Sequence, residues 1–397
     1  MKKIFSFKYL TSVCFLALLG IMLAGSLHPA GQILRGQMES ISAGEGFSTS
    51  QAEQEYNVAL PHKFFYVTLN GGFQRLMGVR YINERYLMDN GHMTYVIPKT
   101  DVTPMAENTV AFRDALEEMG IPFAYVNLLF KVDPQDWQLP VSVADYTNEN
   151  ADQFLSILAE HGVNTLDLRK LEKEQGLDHY SLYFKADHHW TPEAGFWGYT
   201  QIVSWLESLD SRYAVDPILT QEENYNFDIY ENIFCGGFAR RVGPLYAGLD
   251  DMTVISPKFD TFLRVDIPSD GISRQGSYQD TILFYDNLTL KDPDKSSAYN
   301  VYLNSNYPFI SISNDSRSRN LPVQSQPRKL LILKDSYVMV MAPYLALSYD
   351  EVCLVDLRAF DSNLLDFIEE YQPDMVLTMY NPGVLDLNNT SLFQFIP

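Results

Sequence analysis

The chain has 397 residues, with 29 Lys and Arg against 50 Asp and Glu and a formal net charge of -21. So acidic a chain lacks the basic footprint that a phosphate backbone requires, which excludes nucleic acid as the partner, although a local basic groove such as Arg240-Arg241 is compatible with it. The length suits one large α/β domain with insertions or two domains, and the three cysteines, Cys14, Cys235 and Cys353, make neither a disulfide framework nor a CxxC metal spacing.

Lys2 and Lys3 precede an apolar run from Tyr9 to Ala24. A basic start followed by an apolar stretch reads as a signal or anchor segment over residues 1–30. The run is slightly shorter than the roughly 20 residues of a spanning helix, and extension back to Ile4 reaches that length. No clean Ala-x-Ala site follows, which favours an uncleaved anchor over a cleaved signal peptide. Either way, positive charge before the run places the body outside the cytoplasmic membrane, anchored to it or secreted. Residues 31–57 are polar and read as a spacer.

Residues 58–210 alternate between strand and helix patterns. Tyr86 to Ile97 reads as a hairpin around Asn90-Gly91. A helix is predicted over Ala106–Met119, closed by Gly120, then a buried strand over Ile121–Phe130. A helix over Asn150–His161 and a strand over Val163–Leu168 follow, then a strand over Tyr180–Phe184. The next helix runs to about Leu209, with Phe196, Tyr199, Val203 and Leu206 on one face. This alternation predicts an α/β sandwich with a mainly parallel sheet.

Residues 211–326 are turn-rich, with short β-like runs at Thr281–Tyr285 and Val301–Leu303, and read as a β-rich, substrate-facing insertion. Regular alternation returns over residues 327–397. Lys329–Lys334 is a buried strand, Asp335-Ser336-Tyr337 a turn, and Val338–Leu347 a helix kinked at Pro343. Strands at Glu351–Val355 and Asp374–Tyr380 flank a helix at Leu364–Glu370.

The chemistry concentrates in two places. Asp187-His188-His189-Trp190 lies just before Thr191, Pro192 and Glu193, which read as N-cap, first helical residue and first-turn acid. Strand, Asp335-Ser336, helix is the geometry that exposes a serine hydroxyl at a sheet edge, beside free helix N–H groups. A serine needs a base, and the base an orienting group; His189 and Asp187 supply both from one loop. The bland alternatives are a turn at Ser336 and a hydrogen-bonded cluster at Asp187-His189. His28, His62, His92, His161 and His179 fall at no metal-ligand spacing, so no metal and no cofactor are expected. Trp190 reads as core or as a sugar platform.

The block Asp187-His188-His189-Trp190-Thr191 with Gly195, the distant Leu330 to Tyr337, and Val355-Asp356-Leu357-Arg358 together resemble the bacterial DHHW-protein family. That family is similar to the SGNH-hydrolase-like domain of the alginate O-acetyltransferases AlgJ and AlgX and, more distantly, to DltD. The likeness runs from Tyr81 to Asp386. Ordinary SGNH hydrolases carry the serine block first and Asp-x-x-His last; here the order is reversed and the pair is Asp-x-His, as in the alginate group. The resemblance implies an SGNH-hydrolase-like three-layer sandwich, with Ser336 as nucleophile, His189 as base and Asp187 as orienting acid.

It further implies a role for Arg358 on an oxyanion or a substrate carboxylate, the alternative being a salt bridge to Asp356 or Asp361. Tyr337, Trp190 and Tyr380-Asn381 are the remaining candidates for oxyanion or substrate contacts. Two departures stand out: Lys334-Asp335-Ser336 replaces Gly-Asp-Ser, and no glycine block offers a second oxyanion donor. The implied function is transfer of an acyl group, most simply acetyl, to a cell-envelope or secreted polysaccharide, with a membrane-bound O-acyltransferase as partner. An esterase and a non-catalytic glycan-binding scaffold are the alternatives.

Overall fold

In the computed structural model, residues 2–44, 46–60, 62–293, 295–316 and 328–396 are described. Positions 317–326 of the expected insertion lie outside them. The chain divides into two units, Met1–Asn70 and Gly71–Pro397. In the first, a helix over Lys2–Ser42 contains Pro29, and a second spans Thr49–Ala59. Ser48 caps the second, its side chain accepting from the Gln51 N–H, while its own N–H donates to Gln37 Oε1 at 3.1 Å. Much of the stretch read as a polar spacer is therefore helical. Among the described residues no helix is long and apolar enough to cross a membrane.

The second unit begins with three short antiparallel strands, β1 (Tyr81–Ile82), β2 (Arg85–Leu87) and β3 (Met93–Thr94). Leu87 faces Met93 across the hairpin predicted at Asn90-Gly91. The main sheet gathers β4 (Phe123–Asn127), β5 (Asn164–Asp167), β8 (Leu263–Ile267), β9 (Ile272–Gly276), β10 (Phe309–Asn314), β11 (Lys329–Lys334), β12 (Glu351–Val355) and β13 (Met375–Tyr380). Its order is β5-β4-β13-β11-β12-β10-β8-β9. The ladders from β5 to β12 are parallel, and those from β12 to β9 antiparallel. A separate pair, β6 (Tyr225–Phe234) and β7 (Asp250–Pro257), is antiparallel.

Of the parallel strands, β4, β11, β12 and β13 are largely apolar on both faces, as strands covered from both sides must be. Leu330 and Ile332 of β11 enter one core with Trp190, Phe196, Tyr199 and Val340. Leu331 and Leu333 enter the other, with Phe112, Phe154 and Ile368. This period of two sandwiches the sheet between helix Pro192–Leu209 on one side and helices Thr103–Glu118, Thr147–Glu160 and Leu364–Tyr371 on the other. The fold is the expected mixed α/β sandwich.

Three local expectations are corrected. Tyr180–Phe184 is not a strand: residues His179–Leu182 form a 3-10 turn, and a lone bridge joins Tyr183 to Trp190. Thr281–Tyr285 and Val301–Leu303 meet only in the bridge Leu283 to Tyr302. Ser277 caps a helical turn over Tyr278–Thr281, and Leu303 and Asn304 sit at φ 57 and 67, which ends any strand there. Pro343 kinks nothing: a 3-10 turn over Ser336–Val340 precedes a helix over Ala342–Ser348, and Pro343 lies in its first turn, where a missing N–H is harmless.

Candidate active site

Ser336 follows directly on β11, at the edge where the parallel strands end. Asp335 caps the turn: its carboxylate accepts the Tyr337 N–H at 2.9 Å and the Asn381 N–H at 2.7 Å. Burial pushes the Asp335 carboxyl above its ordinary range, against those two bonds. The serine is thus fixed from both sides, and its own N–H has no partner among the described residues.

The other half comes from the loop between Tyr183 and Trp190. Its base is pinned by Phe184 N–H to His189 O at 3.3 Å and Thr191 N–H to Leu182 O at 2.8 Å. Thr191 caps the following helix through the Ala194 N–H, with Pro192 and Glu193 in its first turn. Gly195 lets that helix close in, since a Cβ there would lie 2.7 Å from Val340 Cγ2.

Asp187, His189 and Ser336 meet. His189 Nδ1 is 2.6 Å from Asp187 Oδ1, and His189 Nε2 is 2.7 Å from Ser336 Oγ. An ionised carboxylate only accepts, so Nδ1 carries the proton, Nε2 is the free base, and the serine hydroxyl donates to it. Burial raises the Asp187 carboxyl, but the His188 and His189 rings and hydrogen bonds from His189 and the Gly237 N–H outweigh it and hold it well below the usual range. Burial and the neighbouring His189 push His188 down to about 3. His188 is therefore neutral at pH 7.

Several supporting groups carry no motif in the sequence. Lys131, fully buried, donates through Nζ to Met93 O at 3.0 Å, Phe184 O at 2.6 Å and the Asp187 carbonyl. Burial lowers it to about 8, against the pull of Asp187 and Asp250. Asp250 accepts the Lys185 and Ala186 N–H groups at 2.9 and 2.8 Å. Gly236 abuts the loop: a Cβ would lie 2.4 Å from Ala186 O. Tyr299 stacks on His189 at 4.1 Å and 18°.

The secondary candidates fall differently. Trp190 is fully buried and donates from Nε1 to Tyr337 O at 2.8 Å, so it braces the two halves from within the core and offers no sugar platform. Tyr337 is buried and its hydroxyl donates to His188 O. Tyr380 is buried with its hydroxyl on Leu392 O at 3.0 Å. Asn381 donates one side-chain N–H to Leu129 O and accepts the Gly383 N–H on its oxygen at 2.8 Å. Arg358 bonds Asp356 through Nε at 2.9 Å and Nη2 at 2.6 Å, not Asp361, and lines a cleft of about 920 Å³. Lys334, where a glycine was expected, is fully buried on Asn306 Oδ1 and Tyr307 O.

Asp187, His188 and His189 offer ligand atoms within 4.8 Å of one another. Both His189 nitrogens are already engaged, so a metal there would have to break the contact with Asp187 or Ser336.

The three-layer sandwich, with a serine at its strand edge and an Asp-x-His loop beside it, resembles an SGNH-hydrolase-like domain. Residues 95–215 match the model of the SGNH hydrolase-like domain of the acetyltransferase AlgX, a span that holds Asp187 and His189. Among solved structures, PatB1 of Bacillus cereus is similar with a TM-score of 0.62 and 22% identity, over 78% of this chain and 98% of that one. PatB1 with a sulfonyl adduct gives 0.61 and 22%, over 78% and 99%. A DHHW family protein from Eubacterium siraeum gives 0.58 and 17%, over 80% and 97%. No curated protein matches. The resemblance to the DHHW and AlgX-type proteins stands, and the fold is theirs.

Proposed function

We propose that the chain is an extracytoplasmic O-acyltransferase that carries its acyl group on Ser336 and passes it to a hydroxyl of a cell-envelope or secreted polysaccharide. The observation that carries this reading is the continuous relay from Asp187 through His189 to Ser336 Oγ, with both links within hydrogen-bond reach. His189 Nε2 takes the Ser336 proton as Oγ attacks the acyl carbonyl. The bond to the donor oxygen breaks, and the donor leaves with that proton. An acceptor hydroxyl then gives its proton to His189 and attacks the acyl-serine, which releases Ser336 Oγ to regain it. The Ser336 N–H is the backbone donor available to the oxyanion. Lys2, Lys3 and the apolar run after them support an anchor in the cytoplasmic membrane, and the acyl group would come from a membrane-bound O-acyltransferase.

The test is turnover of a chromogenic acetyl ester by the full chain, with and without an oligosaccharide acceptor. Product on the sugar identifies a transferase, and free acetate alone an esterase. If turnover is absent, or survives in both Ser336→Ala and His189→Ala, the catalytic reading is wrong.

A further inference from the structure

Beside the triad lies the cleft of about 920 Å³, whose lining includes His188 and Gly237, both in contact with triad residues. In a chain of net charge -21 its lining is basic: Arg85, Arg240, Arg241 and Arg358 against Glu84 and Asp386. Arg358 is matched by Asp356 and Asp386 is occupied by Asn388. Arg240 and Arg241 make no ion pair among the described residues, and Arg85 reaches only Glu84, at 3.9 Å.

Arg85 is the unusual member. Its guanidinium lies against the rings of Tyr95 and Phe238, at 5.6 and 5.4 Å, and its Nε is buried with no hydrogen-bond partner. A buried donor left unmet is costly, more so on a charged group. Burial and then the like charge of Arg241 lower its pKa. The turn before it brings the two together: Asn83 and Glu84 sit at φ 48 and 61, uncommon for non-glycine residues, and Asn83 Nδ2 donates to Arg241 O at 3.0 Å. Beside them Tyr81 is 51% exposed, its ring 4.6 Å from that of Tyr86.

We propose that this cleft is an anion-reading subsite for the acyl acceptor: an acidic glycan whose carboxylate or phosphate oxygens seat between Arg85 and Arg241, with a sugar ring on Tyr81. An oxyanion there meets the guanidinium groups of Arg85 and Arg241 that line the cleft and screens the two like charges from each other, and guanidinium forks suit either group. The proposal rests on the acyl-transfer reading only in naming the bound glycan an acceptor.

The test separates the two. Full-length protein carrying Ser336→Ala, which cannot turn over, is titrated calorimetrically with a uronic acid hexamer, a glycerol phosphate hexamer and neutral chitohexaose. One acidic probe or both should bind at least about tenfold more tightly than the neutral one, the scale of one charge-assisted hydrogen bond. Arg241→Gln, at an exposed position, should remove that preference, as should Arg85→Gln; Arg212→Gln, paired elsewhere with Asp210, should not. Preference for the uronate identifies the carboxylate, and for the glycerol phosphate the phosphate. Equal binding of all three, binding of none, or a preference that survives Arg241→Gln overturns the subsite. Acidic binding without any acyl-Ser336 in the unsubstituted chain would keep the subsite and remove the transferase.

Discussion

Asp187 accepts the His189 N–H at 2.9 Å, the His189 ring at 2.6 Å and the Gly237 N–H. Asp187→Asn presents an amide where only an acceptor fits, and triad carboxylates replaced this way lose about 10⁴-fold in kcat. Its folded-state pKa lies below the unfolded value, so the charged form stabilises the fold above that value, and the contribution disappears as pH falls through the folded one. The stability gap between the unsubstituted protein and Asp187→Asn should be constant from about pH 7 to 5 and close below about pH 4, as denaturant midpoints would report. Lys131→Met leaves three buried carbonyls without their donor, at about 1–3 kcal/mol for each left unsatisfied, and frees the loop that carries Asp187. Expected is a large loss of both midpoint and kcat; unchanged kcat in folded protein would show that Lys131 does not position the triad. Gly236→Ala forces a Cβ onto the Ala186 carbonyl and should lower kcat more than stability.

The elements matter because they join half-sites 147 residues apart. Helix Pro192–Leu209 starts at the histidine loop and packs against the turn that holds the serine, through Gly195 on Val340. Trp190 Nε1 on Tyr337 O ties the same two segments. Thr191→Ala removes the cap and should cost about 1 kcal/mol of stability with the relay intact. Trp190→Phe removes the tie as well as buried area, so it should lower the rate of serine acylation in addition to stability. Circular dichroism melts alongside ester turnover distinguish the two; equal loss of rate in both variants would mean that the tie has no part in aligning the serine.

Across the molecule, what could be read from the sequence was what depends on local pattern. β11 is a continuous apolar run ending in Asp335-Ser336, and Thr191-Pro192-Glu193 is a complete helix start, so both halves of the site could be placed. The groups that hold those halves together were hidden, because their partners are far apart in the chain. No local pattern marks Lys131, whose three carbonyl partners, on Met93, Phe184 and Asp187, come from distant parts of the chain. Gly236-Gly237 reads as a turn until it meets Asp187. Strands β8 to β10, within the stretch read as an insertion, join the edge of the main sheet through the pairing of β10 with β12, which no local pattern announces. The directions of the Tyr380 and Asn381 side chains at the end of β13 follow register and packing, not spacing. The central claim, that Ser336 carries the acyl group, is tested most directly by peptide mass spectrometry of the full chain quenched during reaction with the acetyl ester. An acetyl adduct on the Ser336 peptide, absent in Ser336→Ala and His189→Ala, is the predicted result; turnover with no adduct there, or an adduct that persists in His189→Ala at the unsubstituted rate, would contradict it.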